Sequence, residues 1–183
     1  GALLAERLAA ALGGEASRCG QGASLAGWPQ SAFSQARGLI FVGAAGIAVR
    51  AIAPWVRSKS EDPAVVVVDE CGHFAVPILS GHLGGANDLA RRISAVCGAV
   101  PVLTTATDAN GVFAVDEWAK RQNCRVLNPQ AIKNVSSAVL SGRTVQVYSP
   151  WPISGEPPAF VEQTENGEEY DVRLDVCGGS KTA

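Results

Sequence analysis

A chain of 183 residues with 47% apolar and 17% charged residues can build one good core or two small lobes, and is too apolar to stay disordered. Its net charge of −2, without Lys/Arg clusters interleaved with aromatics, excludes a general nucleic-acid-binding surface. No stretch approaches the roughly 20 apolar residues of a membrane helix, so no membrane partner is expected. Five scattered cysteines without a CxxC pair fit a reducing cytoplasm better than a disulfide framework or a structural zinc site. The chain starts without Met, inside a helical pattern, and reads as a segment of a longer protein.

Leu4, Leu8 and Leu12 form a helical stripe that Gly13-Gly14 stops. Residues 15–36 are small and polar, carry Pro29, and read as irregular. Gly38–Val42 is a short apolar run that predicts a buried strand. Gly43-Ala-Ala-Gly46 reads as the turn into a helix from Ile47 to Ala53, with Ala48 and Ile52 inward and Pro54 interrupting it. A polar connector over 58–63 leads to the buried strand Val65–Val68. Phe74–Leu79 fits an antiparallel edge strand, because Pro77 disfavours a central position. Asn87 and Asp88 suit the N-cap and first turn of a helix ending near Val96, with Gly98 beyond it. A strand over Val100–Leu103 and the hydroxyl-rich Thr104-Thr-Ala-Thr-Asp108 follow.

A second lobe is expected after Asn110-Gly111. It has a helix over 116–122, a strand over 125–127, a helix over 129–140 and a strand over 144–148. Residues 149–168, with Pro150, Pro152, Pro157 and Pro158, read as a loop, and 170–176 as an edge strand. Strands alternating with helices predict an α/β fold. The expected form is an open, mostly parallel sheet with flanking helices in three layers (α/β/α), plus a smaller α/β lobe. The domains predicted are 1–108, with a Gly-rich crevice, and 109–183.

Four constellations carry chemistry. Gly43 and Gly46 at a strand-to-helix turn are half of a dinucleotide fingerprint, and a tight turn explains them better. Ser80-Gly-His-Leu-Gly-Gly-Ala-Asn-Asp88 is stronger: Gly81, Gly84 and Gly85 leave backbone able to lie against a ligand, and an imidazole such as His82 can exchange a proton near neutral pH. Asp88 either orients His82 or serves the helix. Asp69-Glu-Cys-Gly-His73 sits where a strand ends, so Glu70 and His73 join His82 as acid–base candidates. Cys71-x-His73 offers two metal ligands, but no second pair has ligand spacing, so no protein-held metal is expected. Thr104, Thr105 and Thr107 either bind carboxylates or phosphates or cap the next helix. A Ser80–His82–Asp88 hydrolase is disfavoured because the G-x-S-x-G elbow is missing.

Val42-Gly-Ala-Ala-Gly-Ile-Ala-Val-Arg-Ala-Ile-Ala-Pro54, the Val-Val-Val-Asp-Glu run, Leu79-Ser-Gly-His-Leu-Gly-Gly-Ala-Asn-Asp-Leu-Ala90 and Thr104-Thr-Ala-Thr-Asp108 together resemble the cobalamin-biosynthesis family CbiG, over about residues 38 to 150. The resemblance implies a cobalt-precorrin-5A hydrolase of the anaerobic pathway, opening a δ-lactone and releasing acetaldehyde. It also implies that the family's C-terminal domain lies outside this chain. Cobalt would arrive in the corrinoid substrate, so no cofactor is expected. The resemblance assigns no residue roles; by position, His82 is the expected base or acid, assisted by Glu70, His73 or Asp88. Gly43, Gly46, Arg50, Ser80, Gly81, Gly84, Gly85, Asn87, Thr104, Thr105 and Thr107 line one crevice for the macrocycle. The alternatives kept beside it are a corrinoid-binding module without chemistry and a nucleotide-binding α/β domain. Assembly into a homo-oligomer is left open.

Overall fold

A computed structural model describes residues 1–20, 27–58 and 61–175. It divides into two compact units, the first ending at Thr104 and the second starting at Thr105. The elements of the first unit are α1 (Ala2–Leu12), α2 (Trp28–Gln35), β1 (Gly38–Val42), α3 (Ala45–Ile52), β2 (Ala64–Val68), β3 (Phe74–Leu79), α4 (Ala86–Cys97) and β4 (Val100–Pro101).

The sheet order is β1-β2-β3-β4. β1 pairs parallel with β2, and β3 parallel with β4, while β2 and β3 run antiparallel. The open, parallel-dominated α/β sheet is therefore as expected. Every residue of β2 is buried, because helices cover both faces of the sheet. Strand alternation divides the core in two. Val66, Val68, Ile40 and Val42 face α1 and α4, meeting Leu8, Ala90 and Ile93. Val65, Leu39 and Phe41 face the other way, toward Trp28, Phe33 and Ile52 of α2 and α3.

Several local expectations change. Within 15–36, residues 28–35 form α2, whose Pro29 occupies the first turn, where its missing N–H costs nothing. Gly46 lies inside α3 and not in the turn before it. β3 is not an edge strand; it sits between β2 and β4. Pro77 is tolerated because β4 pairs only with Phe74 and Ala75, leaving the Pro77 stretch open on that side. The expected strand over 100–103 shortens to Val100–Pro101. Asn87 is not the N-cap of α4: Gly85 holds that position, and Asn87 is buried one residue inside the helix.

The second unit contains α5 (Ala106–Ala109), α6 (Val115–Arg121), a 3₁₀ turn over Pro129–Ala131, α7 (Ile132–Leu140), β5 (Val145–Tyr148), β6 (Val161–Thr164) and β7 (Val172–Arg173). Its sheet has the order β6-β5-β7, all parallel. Val145 and Val147 of the central strand pack with Phe113, Trp118, Val135 and Val139. Val145 is fully buried, so Val145→Ala is expected to cost about 2 kcal/mol through lost burial and a residual cavity, read as a lowered urea midpoint.

The predicted strand over 125–127 is absent, and β6 occupies part of the segment read as a Pro-rich loop. β6 hides in the sequence because Val-Glu-Gln-Thr is a half-exposed edge strand, and among the described residues it pairs only with β5. The expected edge strand at 170–176 is the short β7, and residue 176 lies outside the described residues, as do 59–60 and 21–26. Among the described residues no helix is long and apolar enough to cross a membrane.

Asp171 anchors the start of β7. It accepts from Arg143 at 2.7 and 3.1 Å and from the Gln146 N–H at 2.9 Å. The Arg143 guanidinium leads the influences that hold its carboxyl below the ordinary Asp value of 3.8. A depressed carboxylate adds stability that is complete above the unfolded-state value and is lost as pH falls through the folded one. The urea midpoint is therefore expected to fall on acidification below about pH 4. Asp171→Asn should flatten part of that slope, with only a small loss at neutral pH because the Arg143 side of the pair faces solvent.

Candidate functional site

The strand directions decide which candidates meet. β3 runs opposite to β2, so the Ser80–Gly85 loop after β3 lies where β1 and β2 begin. Ser80 confirms this placement by donating its hydroxyl to the Asp62 carbonyl at 2.9 Å, just before β2. Leu103 and Thr104 leave β4 toward the same end, because β4 is parallel to β3. Gly43 and the Asp69–His73 turn follow the other ends of β1 and β2. The two groups are thus separated by the length of β2, about 13 Å at roughly 3.3 Å per residue. The expectation that Gly43, Glu70 and His73 share one crevice with His82 is not what the structure builds.

The loop at the His82 end is folded tightly on itself. Ser80 has a left-handed backbone (φ 57°), uncommon for a residue with a Cβ, and its carbonyl accepts the Ala86 N–H at 3.0 Å. The Gly81 carbonyl accepts the Asn87 N–H at 2.9 Å, and the His82 carbonyl accepts the Gly85 N–H at 3.0 Å. These bonds satisfy donors at the start of α4 from within the loop, so the N–H groups of Gly85, Ala86 and Asn87 are already engaged. Gly84 is required by close approach: a Cβ there would overlap the Ser80 Cβ and come within 2.9 Å of the Ser80 carbonyl oxygen. Gly85, at φ 87°, turns the chain into α4. The result is a rigid support that holds His82 half-buried at the sheet end. Asp88 is exposed and pairs with Arg91 at 3.0 Å, one turn into the same helix.

At the opposite end, Asp69 organises the turn from β2 to β3. Its Oδ1 accepts the Phe74 N–H at 2.6 Å and its Oδ2 the Cys71 N–H at 3.1 Å. The Phe74 N–H is the first cause of its lowered pKa; the Cys71 and His73 N–H groups and the nearby imidazole add to it. His73 and Glu70 are strongly exposed, with side chains 71% and 79% accessible. Arg50 folds back along α3, donating to the Gly46 carbonyl at 3.3 Å. Arg50 is exposed, at the end of the sheet away from His82.

The threonines divide between the units. Thr104 closes the first and is exposed. Thr105 precedes α5 in the second and donates its hydroxyl to Asp108 Oδ2 at 2.5 Å across the first turn. Thr107 is buried. Sequence reasoning missed the bond from the Ser80 hydroxyl to the Asp62 carbonyl, because a main-chain acceptor leaves no mark in residue type.

Comparison with known proteins finds two successive family regions, the first reaching four residues past Thr104. Residues 28–108 match the family described as Cobalamin synthesis G N-terminal, and residues 113–173 that described as Cobalamin biosynthesis central region. The chain is 46% identical over 120 residues to a cobalt-precorrin-5A hydrolase of Salmonella typhimurium, covering 65% of this chain and 34% of that protein. It is 39% identical over 117 residues to a cobalt-precorrin-5A hydrolase of Priestia megaterium, covering 64% and 31%. The chain thus spans about a third of the length of these curated relatives. A crystal structure described as a homologue of cobalamin biosynthesis protein G from Sulfolobus solfataricus shares the fold, with a TM-score of 0.51 at 22% identity, over 93% of this chain and 53% of that one.

Proposed function

Because the chain belongs to the cobalamin synthesis G (CbiG) family, carrying its N-terminal and central regions, we propose that it is part of a cobalt-precorrin-5A hydrolase of anaerobic cobalamin biosynthesis. The observation that carries the reading is the 46% identity to the Salmonella enzyme over 120 residues. Its product would be cobalt-precorrin-5B, made in the cytoplasm. The substrate brings its own cobalt, and hydrolysis of a lactone needs no further metal from the protein.

The chemistry has two steps. A base takes a proton from water as its oxygen adds to the lactone carbonyl carbon. The tetrahedral intermediate then expels the ring oxygen, leaving a carboxylate on the macrocycle and a hydroxyl on C20. Loss of the hydroxyl proton forms a C=O bond as the bond from C20 to the ring breaks. Its electron pair goes to the macrocycle, and acetaldehyde leaves. We assign the proton transfers to His82, supported by the Ser80–Gly85 loop, with Thr104 at the same sheet end. Glu70, His73, Gly43, Gly46 and Arg50 lie away from that centre, and Arg50 is suited at most to a peripheral substrate carboxylate.

The test uses the full-length protein with cobalt-precorrin-5A, following lactone opening and acetaldehyde together. Stoichiometric release of acetaldehyde is expected, as is a melting midpoint raised by cobalt corrinoids and not by nucleotides. Corrinoid binding without acetaldehyde would leave a binding module in place of an enzyme, and a midpoint raised by nucleotides alone would overturn the corrinoid reading.

A further inference from the structure

The turn between β2 and β3 brings together three side chains of different chemistry. Asp69 Oδ2 lies 3.6 Å from His73 Nδ1, and ligand atoms of Asp69, Cys71 and His73 all fall within 4.8 Å of one another. A tetrahedral ion with bonds of about 2.0–2.3 Å sets its ligand atoms roughly 3.3–3.7 Å apart, so the carboxylate–imidazole spacing already fits. The thiol, within 4.8 Å of both other ligand atoms, sits on an exposed turn. From sequence spacing alone Cys71-x-His73 lacked a partner; the hairpin supplies Asp69 as the third ligand.

We propose that Asp69, Cys71 and His73 form a binding site for a divalent, thiol-seeking first-row ion of the Zn²⁺ class, with water as the fourth ligand. The backbone is prepared for it. The Gly72 N–H donates to the Asp69 carbonyl at 2.9 Å, and the Asp69 N–H to the Phe74 carbonyl at 3.3 Å, closing the turn. Leu4 of α1 backs Gly72, with an added Cβ placed only 3.1 Å away. The Phe74 and Cys71 N–H groups orient the carboxylate and keep it ionised, the part that outer hydrogen bonds play around metal ligands. A thiolate–imidazole–carboxylate set selects Zn²⁺ or Co²⁺ over Mg²⁺ and Ca²⁺, which take oxygen alone. Exposure of Cys71 and His73 leaves the fourth position open to solvent. This site does not rest on the hydrolase reading, since it occupies the sheet end away from His82.

The test is titration of the reduced full-length protein with Co²⁺ as a spectroscopic probe, followed by displacement with Zn²⁺. Saturation near one equivalent is expected, with a thiolate-to-cobalt charge-transfer band and visible bands of tetrahedral intensity. Affinity should rise with pH, because binding releases the thiol proton. Cys71→Ser should remove the charge-transfer band, and His73→Ala should weaken binding by roughly tenfold or more. Both positions are exposed, so both variants are expected to fold, and circular dichroism checks that. No tetrahedral spectrum, or one unchanged in both variants, overturns the site. Neither result bears on acetaldehyde release, which is read separately.

Discussion

His82→Ala in the full-length protein is expected to slow lactone opening by about 10²–10⁴-fold, the usual contribution of one positioned acid–base group. The backbone bonds that fold the loop do not require the imidazole. His82 supports the loop through its backbone carbonyl, which accepts the Gly85 N–H, and an alanine keeps that bond. The Ser80–Ala86 and Gly81–Asn87 backbone bonds are likewise independent of the imidazole. Corrinoid affinity should therefore change far less than kcat, and added imidazole should restore part of the rate. A rate near wild type would remove His82 from the reaction and move attention to groups outside this chain.

Gly84→Ala is expected to destabilise the first unit by about 3 kcal/mol or more, the upper range of forced overpacking. The new methyl group meets the Ser80 Cβ and the Ser80 carbonyl, neither of which is the loose end of a flexible side chain. Ser80 cannot step aside, because its hydroxyl is tied to the Asp62 carbonyl and its own carbonyl to Ala86. Activity should fall as well, since the loop that carries His82 must shift. The measurement is the urea midpoint of Gly84→Ala beside that of Gly84→Ala/Ser80→Gly. The double variant should recover part of the loss, because it removes the Ser80 Cβ contact while the carbonyl contact remains. An unchanged midpoint in the single variant would mean the loop is not held as described.

β1 and β2 were plain because runs such as Val65–Val68 must be buried on both faces, and burial of that kind is written in composition. Helix α1 was plain because its leucines recur every four residues. Helix α2 was not: Pro29 reads as a breaker until it is seen in the first turn, and Trp28, Ala32 and Phe33 cover only a narrow face. β6 and the shift of the α4 cap from Asn87 to Gly85 were equally hidden, since each depends on a partner distant in sequence or on a backbone angle.

The α/β class, the buried strands, the family resemblance and the density of glycines around His82 can all be read from residue order. Those properties follow from residue type and local spacing. Which reactive groups share a space depends instead on how the strands pair. The reversal of β3 against β2 sends Ser80–Gly85 to one end of the sheet and leaves Asp69–His73 at the other. Strand direction is set by pairing between segments, which no local pattern encodes. One reversal therefore divides what looked like a single cluster of histidines and acids into a candidate acid–base centre and a candidate metal site.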